Sequence, residues 1–225
     1  MRSEAVGAAI AGGALGALTG ALVGLPAVGA VVGGLNGAVS GHRRIYERST
    51  RGAMAFVLDS SWALATTAAG LAAHAVAAAQ PDAGYAAELS ERRNRHVYAR
   101  GLRFRRGFAI TTGNVVNGAG DLASARRARL VTDHEDVHVW QSRLFGPLFP
   151  LLYGGWMLGG AVFGSIVWAA RRRDQPFAKV VETCAYYLNP FEWWAYSRDD
   201  HWPPAGKVAG LGWRRPAVQS FAARG

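Results

Sequence analysis

The sequence predicts a mainly helical α+β protein. Three long stretches, residues 5–41, 53–79 and 148–170, are rich in small and apolar residues and together contain a single charged side chain, Asp59. Such stretches are typical of helices that are buried or meet lipid. A strand-like pattern is confined to residues 96–112. Half of the residues are hydrophobic and 18% are charged, which excludes a disordered chain and favours membrane contact.

The net charge of +10 comes almost entirely from arginine, because Lys179 and Lys207 are the only lysines. The arginine clusters flank apolar segments, so we expect them to meet anionic lipid headgroups. They are not interleaved with an aromatic recognition motif, so nucleic-acid binding is not expected and stays a lesser alternative. The single Cys184 excludes an intrachain disulfide and a multi-cysteine zinc site.

Residues 1–45 read as a membrane module made of a glycine-zipper helical hairpin. Glycine recurs every fourth residue on both sides of Pro26, where the hairpin would turn, at Gly12, Gly16, Gly20, Gly24, Gly29, Gly33, Gly37 and Gly41. This spacing lets helices approach closely, within the hairpin or between copies in a homo-oligomer. A flexible Gly/Ala-rich tail is the alternative.

Residues 46–90 are predicted to be a helical connector, with an apolar helix over 53–79 that is interrupted at Asp59. Two short strands, 96–98 and 102–112, are expected to form a β-hairpin about Arg100-Gly101. Residues 113–120 read as a connection that contains Gly and Asn, and residues 122–144 as a helix that Gly146-Pro147 ends.

Residues 148–170 are uncharged and are followed by Arg171, Arg172 and Arg173. Alone, they would predict a transmembrane span. A single crossing, however, would separate His138 from the acidic residues downstream, and no second apolar run follows that could return the chain. We therefore expect a buried or re-entrant hairpin that bends at 154–155 or 159–160, or else a site at membrane depth.

The pattern His-Glu-x-x-His occupies residues 134–138. Residues four apart share one face of a helix, so His134 and His138 can present two imidazole nitrogens to one metal ion. Glu135 lies beside them and is the candidate general base for a water molecule.

A third ligand is needed, since a hydrolytic zinc normally has three protein ligands and one water. The strongest candidate is Glu192, where Asn189 reads as a helix N-cap and Pro190 as the first helical residue. Glu192 could instead complete a capping box. The rivals for the third place, which could equally orient a ligand histidine, are Asp199, Asp200 and His201, with Glu182 weaker.

Other polar side chains are candidates for supporting roles. Gln141 lies near the metal face of the motif helix and would contact substrate or make a structural hydrogen bond. The candidate donors to an oxyanion are Tyr196, Tyr187 and His201.

The pair of motifs resembles the gluzincin branch of zinc metallopeptidases, especially small bacterial proteins that carry HExxHxxQ…GPL and NPFExxAY. Here these stretches are residues 134–141, 146–148 and 189–196, and the resemblance covers roughly residues 95–202. It implies a zincin-like domain over 91–225 with an apolar insert at 148–170.

The resemblance also implies one Zn²⁺ per chain, bound by His134, His138 and Glu192, with Glu135 activating water to hydrolyse a peptide bond. The strand near 108–116 would pair with an extended peptide or protein substrate. The sequence thus favours a metallopeptidase associated with the bacterial cytoplasmic membrane. The alternative is a glycine-zipper membrane-assembly protein whose metal site is structural or vestigial.

Overall fold

The structure is a computed structural model that describes residues 2–102, 107–170 and 175–198. The chain forms two compact units, Met1–Phe149 and Pro150–Gly225. Helices dominate and the sheet is small, so the prediction of a mainly helical α+β protein is confirmed. The predicted domain limits at residues 45 and 90 stay an interpretation of the sequence.

The first unit begins with two helices, α1 (Arg2–Ala21) and α2 (Pro26–Arg43), joined by a short turn. Pro26, where the sequence predicts the turn, is the first residue of α2. Gly16 lies directly against Gly29, because a Cβ atom built on Gly16 would be 2.0 Å from the Gly29 carbonyl oxygen. Only glycine therefore permits this approach of the two helices.

The apolar run that follows forms two helices, α3 (Thr50–Asp59) and α4 (Leu64–Ala78), with the break directly after Asp59. Ser49 caps α3 by accepting a hydrogen bond from the Gly52 amide. The Asp59 carboxylate is 2% exposed and points into a polar cluster within the unit. The interruption expected at this position is a helix break around a buried charge.

The sheet contains β1 (His96–Val97), β2 (Ile110–Thr112) and β3 (Val115–Asn117) in the order β1-β3-β2. β3 pairs in parallel with β1 and antiparallel with β2.

The position of the predicted β-hairpin was wrong. Its turn is at Gly113-Asn114, not at Arg100-Gly101, and residues 115–117 are a buried strand rather than part of a connection. The sequence predicts a connection that begins at Gly113. Gly113 and Asn114 instead form a two-residue hairpin turn in which Gly113 has φ 58°.

The motif helix is continuous from Ala125 to Phe145 and starts three residues later than predicted. It consists of α5 (Ala125–Arg129), a π-helical turn (Leu130–Glu135) and α6 (Asp136–Phe145). Gly146, with φ 51°, ends it as expected.

Helix α7 (Leu148–Ala170) corrects the expectation of a re-entrant hairpin, because it is one unbroken helix of 23 residues. Glycine lowers helix propensity without imposing a bend, and a Cβ atom on Gly154, Gly155 or Gly159 would meet no atom within 4 Å. The helix therefore passes straight through both predicted bends.

The chain returns alongside α7 within the second unit through α8 (Phe177–Glu182), a π-helical turn (Thr183–Tyr187) and α9 (Pro190–Tyr196). A Cβ atom on Gly164 would lie 3.0 Å from Val181 Cα, and one on Gly160 would lie 2.5 Å from the Cys184 oxygen. The antiparallel return brings Glu192 back to Tyr153, near the start of α7.

Two helices of the described chain are long and apolar enough to cross a membrane, Ser3–Ala21 and Leu148–Ala170. Only 17% and 6% of these windows are buried within the protein, so both leave apolar surface exposed. The first lies near the N-terminus, where a signal sequence has the same properties.

Candidate metal centre

The two motif histidines lie side by side in the first unit. His134 belongs to the π-helical turn and His138 to α6, and their exposed fractions are 2% and 7%. Their Nε2 atoms are 3.2 Å apart. Two nitrogens bound to one tetrahedral zinc at about 2.0–2.1 Å are about 3.3–3.4 Å apart. The pair thus has the spacing of two ligands of one ion.

Gln141 orients the second histidine. Its side chain is fully buried, and its Oε1 atom lies 2.8 Å from His138 Nδ1. An amide oxygen only accepts, so Nδ1 carries the proton and Nε2 carries the lone pair that a metal requires. Of the two roles considered for Gln141, this contact corresponds to the structural hydrogen bond.

Glu135, the candidate general base, is 5% exposed. The hydroxyl of Thr111 donates a hydrogen bond of 2.6 Å to Glu135 Oε2. Thr111 belongs to β2, so the strand next to the motif helix holds the carboxylate. Sequence reasoning missed Thr111, because nothing local marks a threonine 24 residues away as its partner.

The motif helix is held in place by charged groups on the rest of the first unit. Asp136, inside the motif, pairs with Arg95 at 2.5 Å and with Arg51 at 3.3 Å. Arg143, five residues past His138, donates two hydrogen bonds of 2.8 Å to the buried Asp59 carboxylate. The one local signal for this second pair was a lone aspartate in an apolar run.

Glu192 is the third helical residue of α9 in the second unit and is 2% exposed. Asn189 caps the helix by accepting from the Phe191 amide at 3.0 Å, as predicted. The capping-box alternative for Glu192 is not met, because the Asn189 amide donates to the Tyr186 oxygen. Instead, Glu192 Oε1 accepts a hydrogen bond of 2.6 Å from the Tyr153 hydroxyl.

The cluster of His134, His138 and Glu192 could hold a metal ion. All three side chains are buried, and two imidazoles with one carboxylate are a known ligand set of catalytic zinc.

The other candidate residues lie at different places, and some of them fall outside the described part of the chain. Tyr196 has its hydroxyl 3.4 Å from that of Tyr186. The backbone oxygen of the buried Tyr187 accepts a hydrogen bond from the Trp193 indole. Glu182 is the last residue of α8. Three candidates, Asp199, Asp200 and His201, lie outside the described residues.

The phenol of Tyr186 stays protonated. Burial raises the pKa of Tyr186 far above its usual range, and the nearby Glu192 carboxylate raises it further. Tyr186 therefore acts as a neutral hydrogen-bonding group and does not serve as a base.

No family model, curated protein or solved structure matches the chain. The interpretation of the site therefore depends on its own geometry and chemistry.

Proposed function

We propose that the protein is a membrane-associated zinc metallopeptidase with a zincin-like catalytic domain. His134, His138 and Glu192 would bind one zinc ion, and Glu135 would be the general base. One observation carries the proposal: each of the three ligand residues offers an atom, and these atoms lie within 4.8 Å of one another.

The donor set fits zinc well. Gln141 accepts a hydrogen bond from His138 Nδ1. His138 is therefore held in the tautomer whose Nε2 lone pair can bind a metal. A zinc ion bound there would polarise the carbonyl of the scissile peptide and lower the pKa of a water molecule.

Glu135 has the properties of a general base. Thr111 fixes the orientation of the carboxylate through Oε2, and the other oxygen would take the proton from water. The same carboxyl group would then deliver that proton to the leaving amine. Holding the base in one orientation avoids the cost of ordering it during the reaction.

The position of β2 supports a peptide as substrate. β2 has β3 on one side and is an edge of the sheet among the described strands. An extended peptide can add to such an edge through backbone hydrogen bonds. Because Thr111 of β2 contacts Glu135, a peptide added there would lie close to the base.

The apolar surface of α7 and of the α1–α2 hairpin supports attachment to a bacterial cytoplasmic membrane. The hairpin turn is apolar, and residues 21–28 are all exposed. Basic residues lie in the last turn of α2 and directly after it, namely His42, Arg43, Arg44, Arg48 and Arg51. Positive charge beside an apolar segment is typical of the cytoplasmic flank.

A membrane-assembly protein with a structural metal site is the second candidate function. The close glycine contacts between α1 and α2 favour it, since they are those of a dedicated packing motif. These contacts lie within one hairpin, so a homo-oligomer would have to use the remaining exposed face. In that case a fourth protein ligand would close the metal site to water.

The variant Glu135→Gln separates the two functions. We expect it to keep the metal and the fold and to lose peptide hydrolysis, because an amide cannot take the proton from water. Hydrolysis of a fluorogenic peptide library by the detergent-purified protein is the assay, and metal content is measured in parallel. Glu88→Gln is the matched control, because Glu88 is exposed in the short 3₁₀ turn Ala87–Leu89. Equal hydrolysis by wild type and Glu135→Gln would contradict the peptidase proposal.

A further inference from the structure

Tyr153 is one of the few polar residues in the apolar helix α7. The helix also contains Ser165, whose hydroxyl donates to the Ala161 oxygen of its own helix. The Tyr153 hydroxyl instead reaches out of α7 and donates to Glu192 Oε1 at 2.6 Å. The two residues are 39 positions apart in the chain.

The packing of the second unit explains why these groups meet. Gly164 contacts Val181 and Gly160 contacts Cys184, so the returning chain runs beside α7 towards its first turns. Helix α9 begins where this return ends, and the ring of Phe191 lies 6.1 Å from that of Tyr153. The phenol is therefore placed by backbone packing as well as by its own hydrogen bond.

The hydrogen bond is of the strong, charge-assisted kind. An O–H donor to a carboxylate gives short bonds of about 2.5–2.7 Å, and Glu192 is almost completely buried. A carboxylate held by one donor loses the freedom to rotate about its last bond. Groups that orient a metal ligand in this way typically contribute about 10- to 100-fold to metal affinity.

We propose that Tyr153 is a positioning residue that holds the Glu192 carboxylate in the orientation needed to bind the metal. This inference rests on the proposed function, in which Glu192 is a ligand. It makes α7 part of the metal centre as well as a candidate membrane helix. Removing the hydroxyl weakens metal binding without removing a ligand.

The test compares zinc affinity, measured by competition with a chromophoric chelator, in wild type, Tyr153→Phe and Ser165→Ala. Tyr153→Phe keeps the ring that packs near Phe191, and Ser165→Ala removes a hydroxyl of the same helix that bonds only to its own backbone. We expect about 10- to 100-fold weaker binding for Tyr153→Phe and no change for Ser165→Ala. The visible spectrum of the Co²⁺-loaded protein should also change in Tyr153→Phe alone, because it reports ligand orientation.

The outcomes are distinct. Equal zinc affinity in wild type and Tyr153→Phe would overturn the positioning role and leave the proposed function standing. Equal weakening in both variants, or weakening with a loss of helical circular dichroism, would assign the effect to damage of α7 and would also overturn it. Wild type without measurable zinc affinity would instead refute the proposed function itself.

Discussion

Asp59, the last residue of α3, and Arg143 of α6 form a buried ion pair, with side chains 2% and 0% exposed. Tyr46 and Asn114 also donate hydrogen bonds to Asp59 Oδ2, at 2.9 and 3.1 Å. A buried charge is tolerated only when its partners are all in place.

Asp59→Asn should therefore destabilise the protein strongly, because it leaves the Arg143 guanidinium buried without its counter-charge. We expect a loss of about 3–5 kcal/mol in the free energy of unfolding, measured by urea denaturation in mild detergent. Glu91→Gln is the control, since the Glu91–Arg44 pair is 43% and 39% exposed and such pairs contribute about 0–1 kcal/mol. Similar losses in the two variants would contradict the account of a buried pair.

Two further histidines, His74 and His96, are neutral parts of the first unit. Their ring centroids are 4.3 Å apart, and His96 has hydroxyl groups at both ring nitrogens, from Ser40 and Tyr85. Burial lowers the pKa of His74 to about 4 and that of His96 well below its usual value, and the Arg43 charge lowers both further. The folded state therefore binds protons less readily than the unfolded chain does.

The sign of the pH dependence follows from these lowered pKa values. The stability due to neutral histidine is fully present above pH 6.5, the unfolded pKa, and is lost as the pH falls towards the folded pKa. His74 should cost about 2 kcal/mol between pH 7 and pH 5, and His96 acts in the same direction. His74→Gln should reduce the loss of unfolding free energy over this interval, and an unchanged loss would contradict the assignment.

The local arrangement of the candidate residues was predictable from sequence. His134 and His138 are four residues apart on one helix, and Asn189-Pro190 begins α9 as the residue types indicate. The partners that orient the site come from distant segments, as with Thr111 for Glu135 and Tyr153 for Glu192. No spacing rule relates such pairs, because the fold alone brings them together.

At the scale of elements, α7 and the chain that returns along it form the frame of the second unit. Composition predicted a bend at the glycine pairs, but the two glycines of the second pair have different surroundings. A Cβ atom on Gly159 would meet no atom within 4 Å, whereas one on Gly160 would lie 2.5 Å from the Cys184 oxygen. Sequence could not separate them, since the difference depends on which face of α7 the returning chain covers.

These adjacent glycines give a matched pair of substitutions. Gly160→Val should push the returning chain away from α7, draw Glu192 away from Tyr153 and weaken metal binding. Gly159→Val, with the same cost in helix propensity, should leave metal content unchanged. Metal content and thermal unfolding of the two variants in detergent provide the check, and equal metal loss in both would show that the close contact at Gly160 does not matter.

The β-hairpin illustrates a second limit at this scale. Residues 113–114 carry the Gly-Asn composition of loops, and the same composition favours a two-residue hairpin turn. The choice between them depends on the flanking strands, and the burial of Val115, Val116 and Asn117 on both faces decided it.

At the scale of the whole molecule, the proposed metal ion binds three residues, His134, His138 and Glu192. A metal ion that binds the folded protein stabilises it by mass action. Chelation should therefore lower the melting temperature of wild type and leave that of Glu192→Ala unchanged. A melting temperature of wild type that does not respond to chelator and returned zinc would argue against the proposed metal site.

Metal content of freshly purified protein tests whether His134, His138 and Glu192 bind a zinc ion. Wild type, Glu192→Ala and His201→Ala are purified in detergent and analysed by inductively coupled plasma mass spectrometry. We expect about one zinc per chain in wild type, its loss in Glu192→Ala and its retention in His201→Ala. Wild type without metal, or Glu192→Ala that keeps its zinc, would contradict the three-ligand site.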